Sequence, residues 1–296
     1  MSYILETKEL TKEYSHTKVV DNVSLTVKQG DIYGFVGKNG AGKTTFIRML
    51  LGLTSVTSGS FSFFDGESAE NARKRVGSLV ESPALYKNMS AKDNLNLYCT
   101  MLGADKKSID GILETVGLAN TGKKKAVNFS LGMKQRLGIA MALVGNPDFL
   151  ILDEPINGLD PKGIVEIRSL LLTLQSQGKT IFISSHILGE LEKIATNYGI
   201  ISSGKLIEQI SCEELAQKCG IRTVIKTSDP QKTLEILKGS FKEDELSMGS
   251  RSIIIKAEIS DIGELTHKLF NAGITIKGIS TDESSAEDYF IKRMEE

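Results

Sequence analysis

Residues 37–44 read Gly-Lys-Asn-Gly-Ala-Gly-Lys-Thr, which matches the phosphate-binding pattern G-x-x-x-x-G-K-[ST]. The apolar run at 31–37 predicts a strand that leads into this loop, and the run from Thr44 to Leu51 predicts a helix that follows it. Glycines let backbone N–H groups wrap around phosphates, because a Cβ atom would block their close approach. The start of the helix adds partial positive charge. The stretch therefore predicts a site for nucleotide phosphates.

Two side chains of this loop have specific tasks in the pattern. We expect Lys43 to reach the β- and γ-phosphates and the Thr44 hydroxyl to ligate Mg²⁺. The predicted nucleotide-binding set of the loop is Gly37, Lys38, Asn39, Gly40, Ala41, Gly42, Lys43, Thr44 and Thr45.

The stretch Phe-Leu-Ile-Leu-Asp-Glu-Pro at 149–155 is the second signal. Its uninterrupted apolar start predicts a strand buried in a parallel sheet. An acidic residue at the end of such a strand points at the phosphate loop if the two strands are neighbours. We therefore expect Asp153 to hold Mg²⁺ through its hydration shell and Glu154 to polarise the attacking water. Together with the loop, this stretch predicts a nucleoside triphosphatase.

The order of the predicted elements indicates the fold class. Strands that alternate with helices predict an α/β fold with a mostly parallel sheet. Three helical patterns in succession predict a helical insertion at about 82–145. Beyond residue 220 the pattern changes to a β-α-β-β-α-β order. We therefore expect a nucleotide-binding domain at 1–220 and a small α+β domain at 221–296, for which regulation and added dimer contacts are both options.

The helical insertion contains the stretch that indicates the class of triphosphatase. Phe-Ser-Leu-Gly-Met-Lys-Gln-Arg at 129–136 resembles LSGGQ-x-QR, the signature motif of ATP-binding cassette (ABC) ATPases. Gly-Leu-Asp at 158–160 is similar to the D-loop of that family, and Ser-Ser-His at 184–186 to its switch-histidine segment. The resemblance extends over most of residues 1–210. It implies a P-loop NTPase core with an antiparallel β subdomain and a helical insertion.

The resemblance also implies roles for residues outside the phosphate loop. Ser130 and Gly132 would contact a nucleotide held by another subunit. His186 would donate to the γ-phosphate, and Tyr14 would stack on the adenine. Each role has a structural alternative, because Ser130 could cap its helix, His186 could be a hydrogen-bonded structural histidine and Tyr14 could belong to an edge strand. The residues alone leave these alternatives open.

Two departures from the family pattern bear on the expected rate of hydrolysis. Leu131 and Met133 stand where the signature has glycine and glutamine. The loop that usually supplies a glutamine near Mg²⁺ has Glu81 in this chain. A carboxylate can still ligate Mg²⁺, so Glu81 joins Thr44 and Asp153 as a predicted metal ligand. It also adds negative charge near the γ-phosphate, which would either weaken nucleotide binding or tie activity more closely to the state of the partner.

The signature variant and the C-terminal run Ser-Ser-Ala-Glu-Asp-Tyr-Phe-Ile-Lys-Arg-Met resemble exporter ATPases of the bacitracin-resistance and lantibiotic-immunity type. This resemblance implies that the chain hydrolyses ATP with Mg²⁺ in a head-to-tail pair, either a homodimer or a heterodimer with a paralogue. The pair would drive efflux through a separate transmembrane permease. The implied cargo is an antimicrobial peptide or another amphipathic compound.

The two alternatives to transport are a non-transport ABC ATPase and a regulatory module without turnover. A non-transport ABC ATPase acting on ribosomes would carry two cassettes, and one acting on DNA would insert long coiled coils. This chain has one cassette and no sustained heptads. A regulatory module without turnover would have lost a catalytic residue, but Lys43, Asp153, Glu154 and His186 are all present. Both alternatives are therefore disfavoured.

Composition gives the expected location and excludes some partners. The 36 basic and 37 acidic residues give a net charge of −1, which argues against a nucleic-acid partner, because binding phosphates needs a basic surplus. No apolar run approaches the ~18 residues of a membrane span, and the N-terminus lacks a signal-peptide pattern. The 3 cysteines fit a reducing compartment. We expect a cytoplasmic protein, peripheral at the inner face of the cell membrane.

A loop with Glu81 and Tyr86 joins the predicted sheet to the helical insertion. It borders Leu95, Leu97 and Tyr98, which are more apolar residues than one face of a short helix needs to bury. Some of this surplus is expected to form an exposed apolar groove that accepts a short helix of the membrane partner. The alternative is that these side chains only pack the insertion.

Overall fold

The computed structural model describes residues 2–67, 69–242, 245–257, 259 and 261–295. The chain divides into two compact units. The first unit runs to Cys212 and takes in the chain again from Arg293, whereas the second covers Glu213–Lys292. The sequence placed the boundary at about 220 and the whole C-terminus in the second domain. In the structure the boundary lies at the start of a helix, and the end of the chain belongs with the first unit.

The strands of the first unit follow one another in chain order as β1 (Tyr3–Tyr14), β2 (Thr17–Val23), β3 (Thr26–Lys28), β4 (Ile32–Val36), β5 (Ser58–Phe63), β6 (Val76–Leu79), β7 (Phe149–Asp153), β8 (Thr180–Ser185), β9 (Asn197–Ser202) and β10 (Lys205–Ser211). The α-helices between them are α1 (Lys43–Leu50), α2 (Ala69–Lys74), α3 (Ala91–Leu102), α4 (Ile109–Thr115), α5 (Leu131–Ala142), α6 (Pro161–Ser176) and α7 (Leu188–Leu191). Short 3₁₀ helices lie at Phe64–Gly66, Lys106–Ser108, Ala119–Thr121 and Ala126–Asn128.

The main sheet has six strands in the order β10-β9-β4-β8-β7-β6. All neighbouring pairs are parallel except the β9–β10 hairpin. Every residue of β4, β7 and β8 is buried, as expected for apolar runs inside a parallel sheet that is covered on both faces. Strands β4 and β7 both neighbour β8, so the phosphate loop after β4 and the acidic residues of β7 lie at the same edge of the sheet.

A second sheet and the helical insertion complete the first unit. Strands β2, β1 and β3 form an antiparallel sheet, and β5 also pairs with β1. Helices α3, α4 and α5 lie between β6 and β7 in the chain and pack against one another. The predicted antiparallel β subdomain and helical insertion are therefore confirmed.

An aromatic cluster fixes the elements on either side of the phosphate loop. The rings of Phe35 in β4 and Phe46 in α1 lie 4.9 Å apart, and Phe35 lies 5.3 Å from Phe182 in β8. All three side chains are fully buried. Aromatic pairs at these spacings add about 0.5–1.5 kcal/mol each beyond their buried area. The strand before the loop and the helix after it are thus packed onto one core.

The second unit is a small α+β domain. Its elements are α8 (Cys212–Lys218), β11 (Gly220–Thr227), α9 (Pro230–Leu237), β12 (Leu246–Met248), β13 (Ser252–Ile255), α10 (Ile262–Asn271), β14 (Ile276–Ser284) and α11 (Ala286–Glu295). The sheet order is β12-β13-β11-β14, and every pair is antiparallel. The predicted β-α-β-β-α-β order is confirmed. In the described part of the chain, none of the helices has the length and apolar character needed to cross a membrane.

Candidate nucleotide site

The phosphate loop joins β4 to α1, as the sequence predicts. Two of its glycines are required by close backbone contacts: a Cβ atom on Gly37 would lie 2.5 Å from the carbonyl oxygen of Ile201, and one on Gly42 would lie 2.6 Å from that of Val19. Gly42 also has a φ of +106°, which side chains rarely adopt. A cavity of about 220 Å³ opens beside the loop, lined by Val19, Asn39, Gly40, Gly42, Lys43, Thr44, Thr45 and Glu154.

Lys43 lies buried at the base of this cavity. Its ammonium group donates to the carbonyl oxygen of Gly37 at 2.6 Å and lies 3.2 Å from Oε1 of Glu154. A buried charge is retained only when it is paired and hydrogen-bonded. The structure therefore brings together the two residues predicted to bind the phosphates and to polarise the water.

Asp153 ends β7 and is also buried. Its Oδ2 accepts a hydrogen bond from the Thr44 hydroxyl at 2.8 Å, and its Oδ1 accepts one from the Ser184 hydroxyl at 2.5 Å. A hydroxyl and a carboxylate are hard oxygen donors of the kind that Mg²⁺ prefers, with water and substrate phosphates as further ligands. The donor set fits Mg²⁺ bound together with a nucleotide. Among the described residues, no three His, Cys, Asp or Glu side chains form a metal cluster by themselves.

Glu154 lies directly after β7 in a left-handed backbone conformation with a φ of +49°. Its N–H donates to both the carbonyl oxygen and the hydroxyl of Ser184, at 3.2 and 3.0 Å. Its Oε2 lies 2.8 Å from Nδ1 of His186, which follows β8. The carboxylate is thus held between Lys43 and His186 in the lining of the cavity beside the phosphate loop.

Glu81 is placed differently from the other predicted metal ligands. Its carboxylate pairs with the guanidinium of Arg48 in α1 at 2.7 Å, and its side chain is 59% exposed. Its backbone φ is +57°, so this residue also has a left-handed conformation. The structure brings Thr44 and Asp153 together, and it pairs Glu81 with a cation that the sequence did not indicate. The metal role of Glu81 stays a prediction.

The signature residues lie at the start of α5. Ser130 is the N-cap of this helix, and its hydroxyl accepts from the N–H of Met133 at 3.2 Å. Both Ser130 and Leu131 are exposed, so the helix start is open to a ligand. Neither Ser130 nor Gly132 lines the cavity beside the phosphate loop. The capping role is therefore established, and a nucleotide role would have to serve a different site.

Tyr14 ends β1 and is 46% exposed. Its hydroxyl is hydrogen-bonded to that of Thr54 at 3.2 Å, and the ammonium group of Lys12 lies 4.7 Å from the ring centroid. Tyr14 does not line the cavity beside the loop. The ring is partly exposed, and the adenine role stays a prediction.

Sequence reasoning missed Arg48 and the hydroxyl of Ser184. Arg48 is 33 residues from Glu81 in the chain, and no local pattern connects the two. Ser184 was recognised only as part of the switch-histidine segment. Its position opposite Asp153 follows from the pairing register of β7 and β8, which the sequence does not specify.

Comparisons with known proteins show which family this chain is similar to. The family model of the ABC transporter matches residues 20–157. The bacitracin transport ATP-binding protein BcrA of Bacillus licheniformis is 45% identical over 298 residues, which cover 99% of this chain and 97% of that protein. The lantibiotic transport ATP-binding protein SrtF of Streptococcus pyogenes is 47% identical over 204 residues, which cover 69% of this chain and 89% of that protein.

Two solved structures show the same fold. The cbiO1 protein of Clostridium perfringens, part of the ABC transporter complex cbiONQ, has a TM-score of 0.66 at 28% identity and covers 74% of this chain and 94% of that chain. An ATP-binding cassette of an ABC transporter in its ADP conformation has a TM-score of 0.65 at 26% identity, covering 72% of this chain and 92% of that chain.

Proposed function

The chain belongs to the ATP-hydrolysing subunits of ABC transporters, and from this membership we propose that it powers the export of an antimicrobial peptide through a separate membrane subunit. The observation that carries the proposal is the 45% identity to a bacitracin transport ATP-binding protein over almost the full length of both chains. The similarity to a lantibiotic transport ATP-binding protein supports the same class of cargo.

ATP hydrolysis assigns a task to each residue around the cavity. A water oxygen attacks the γ-phosphorus, the bond to the β–γ bridging oxygen breaks, and ADP leaves with that electron pair. Glu154 accepts the proton of the water as general base. Lys43 balances the charge of the β- and γ-phosphates, and His186 donates to the γ-phosphate while it orients Glu154. The ion pair of Lys43 and Glu154 separates when the phosphates take the place of the carboxylate.

Thr44 and Asp153 would hold Mg²⁺ beside the phosphates. The bound ion would neutralise charge that develops on the phosphate oxygens. The hydrogen bond between the two side chains already sets their oxygens close together. Glu81 would join this set once its carboxylate separates from Arg48.

A complete site would need two subunits. Ser130 and Gly132 at the exposed start of α5 would contact the nucleotide on the phosphate loop of the opposite subunit. A helix N-terminus offers unpaired N–H groups and partial positive charge to a phosphate. Tyr14 would stack on the adenine from the side of the antiparallel sheet. The proposed active unit is a head-to-tail dimer.

The membrane partner would bind at the helical insertion. Tyr86 is 52% exposed in the loop before α3, and Leu102 at the end of α3 is 56% exposed. A cavity of about 490 Å³ lies between α3, α5 and β6, with Tyr98 and Leu102 in its lining. Leu95 is fully buried and so belongs to the core of the insertion. The groove is amphipathic, which suits a short helix from a partner at the inner face of the membrane.

The test is resistance in a bacitracin-sensitive bacterial strain that expresses the chain together with its membrane subunit. We expect a raised minimal inhibitory concentration of bacitracin or of a lantibiotic, and loss of this protection in the Glu154→Gln variant, because removing a general base typically costs about 10²-fold or more in rate. Protection that persists in Glu154→Gln would contradict hydrolysis-driven export. Equal sensitivity with and without the native pair would contradict the assigned cargo.

A further inference from the structure

Ser184 is a buried serine at the end of β8 whose side chain has no task in the scheme above. It lies directly opposite Asp153 in the parallel pairing of β7 and β8. Its exposure is zero, so its hydroxyl must find partners within the protein. Both partners belong to the nucleotide site.

The Ser184 hydroxyl has one proton to donate, and it donates that proton to Asp153. The Ser184 oxygen lies 2.5 Å from Oδ1 of Asp153, which is the range of a hydrogen bond to a charged acceptor. The other carboxylate oxygen accepts from Thr44 at 2.8 Å. With one hydroxyl on each oxygen, the plane of the Asp153 carboxylate is fixed relative to the phosphate loop.

The same oxygen accepts a second hydrogen bond, from the N–H of Glu154 at 3.0 Å. Glu154 has a φ of +49°, and residues with a side chain rarely adopt this conformation. Such a conformation persists when surrounding contacts determine it. The hydroxyl and the carbonyl oxygen of Ser184 both accept this N–H, so one residue of β8 determines the turn that aims the Glu154 carboxylate toward Lys43 and His186.

We propose that Ser184 is a positioning residue for ATP hydrolysis, whose hydroxyl sets the metal-binding carboxylate and the catalytic base in one arrangement. This inference rests on the proposed roles of Asp153 and Glu154. It does not make Ser184 a catalytic residue, because its hydroxyl is fully buried and acts through its contacts with Asp153 and the N–H of Glu154. Loss of the hydroxyl leaves Oδ1 of Asp153 buried without this donor and releases the side-chain anchor of the Glu154 turn.

The experiment compares Ser184→Ala with Ser184→Thr and Ser184→Cys in the full chain. Ser184→Ala is expected to lower kcat by about 10–100-fold and to raise the Mg²⁺ concentration for half-maximal activity by about tenfold or more. The Kd for a fluorescent ATP analogue measured without Mg²⁺ should stay within about twofold. Ser184→Thr, which keeps the hydroxyl, should restore most of the rate. If threonine does not fit, Ser184→Cys keeps the size and a weak donor and should recover part of the rate.

A matched control is Thr180→Val at the other end of β8. Its hydroxyl is also buried and accepts from the N–H of Gly30 at 2.9 Å, away from the nucleotide site. This variant is expected to lower the melting temperature without changing kcat or the Mg²⁺ requirement. A purely structural role of Ser184 would make Ser184→Ala behave in the same way, and that result would overturn the inference.

Glu154→Gln separates this inference from the proposed function. If Glu154→Gln is inactive and Ser184→Ala has native kcat and Mg²⁺ dependence, the role of Ser184 is wrong and the base assignment stands. If Glu154→Gln hydrolyses ATP at the native rate, the base assignment fails. In that case the role of Ser184 is judged from the Mg²⁺ requirement of Ser184→Ala alone. A half-maximal Mg²⁺ concentration equal to that of the native protein overturns this role.

Discussion

Glu81 shows how far a single residue can be interpreted from sequence. Its position in a family pattern predicts a metal ligand, whereas its partner in space is Arg48, at 2.7 Å. The two functions compete, because a carboxylate that is paired with a guanidinium binds Mg²⁺ more weakly. The positions of Lys43, Thr44 and Asp153 beside one another were predictable, because each residue belongs to a local motif. The pairing of Glu81 was not, because it depends on how the loop after β6 folds against α1.

Substituting Arg48 by Gln tests whether Glu81 serves the metal. Without the guanidinium, the Glu81 carboxylate is released toward the phosphate loop. We expect the Mg²⁺ concentration for half-maximal ATPase activity to fall severalfold, since a nearby opposite charge competes directly with metal binding. The double variant with Glu81→Gln should return that concentration to at least the native value. An Mg²⁺ dependence that does not differ between native protein and Arg48→Gln would remove Glu81 from the metal set.

At the scale of elements, the sequence predicted most boundaries near the site correctly, because local signals determine them. The strand expected at 31–37 is β4 (Ile32–Val36), and the helix expected from Thr44 to Leu51 is α1 (Lys43–Leu50). Helix α3 begins at a capping pair, in which the Ser90 hydroxyl accepts from the N–H of Asp93 and the Asp93 carboxylate accepts from the Ser90 hydroxyl and N–H. The pairing register of β7 and β8 could not be predicted from the sequence. The contact of Ser184 with Asp153 depends on that register and therefore could not be predicted either.

The capping pair makes the stability of the insertion dependent on pH. The Ser90 hydroxyl and then its N–H donate to Asp93 and lower the pKa of that carboxyl below its ordinary value. The stabilisation is therefore complete above the unfolded pKa of about 3.9 and is lost as the pH falls through the lower folded pKa. We expect Asp93→Asn to lower the melting temperature at pH 7 and to have a progressively smaller effect below about pH 4. The control is Glu114→Gln, which removes an exposed carboxylate of α4. It should leave the melting temperature unchanged both at pH 7 and below pH 4.

Ser90→Ala should destabilise the protein by about 1 kcal/mol at neutral pH, the usual cost of losing an N-cap. Denaturant unfolding monitored by circular dichroism measures this difference. If Asp93→Asn lowers the melting temperature equally at pH 7 and well below pH 4, the charge of Asp93 does not contribute to the cap.

At the scale of the whole molecule, transport requires that hydrolysis is coupled to a partner. Tyr86 precedes α3, and its backbone N–H and carbonyl are both held by the Asn94 side chain. The loop is thus fixed while its aromatic ring is exposed. We expect Tyr86→Asp to abolish copurification with the membrane subunit and peptide resistance, because burying a carboxylate against a partner without a compensating hydrogen bond costs several kcal/mol. ATPase activity of the isolated subunit should stay within about twofold of native.

Leu172→Asp is the matched control for this substitution, since Leu172 is an exposed apolar residue on α6, outside the helical insertion. It should retain both copurification and resistance. Copurification by Tyr86→Asp at the native level would place the docking surface elsewhere, and loss of its isolated ATPase activity would place Tyr86 in the core of the insertion.

The central prediction is that each nucleotide site combines Lys43 of one subunit with Ser130 of the other. The direct measurement is the rate of phosphate release when purified Lys43→Ala and Ser130→Arg subunits, each inactive alone, are mixed under conditions where dimers form. Each mixed dimer then contains one site with both residues intact. We expect recovery of about a quarter of the native rate at equal amounts, since about half of the dimers are mixed and each has one of two sites working. No recovery, with mixed dimers demonstrated by mass, would contradict the shared site.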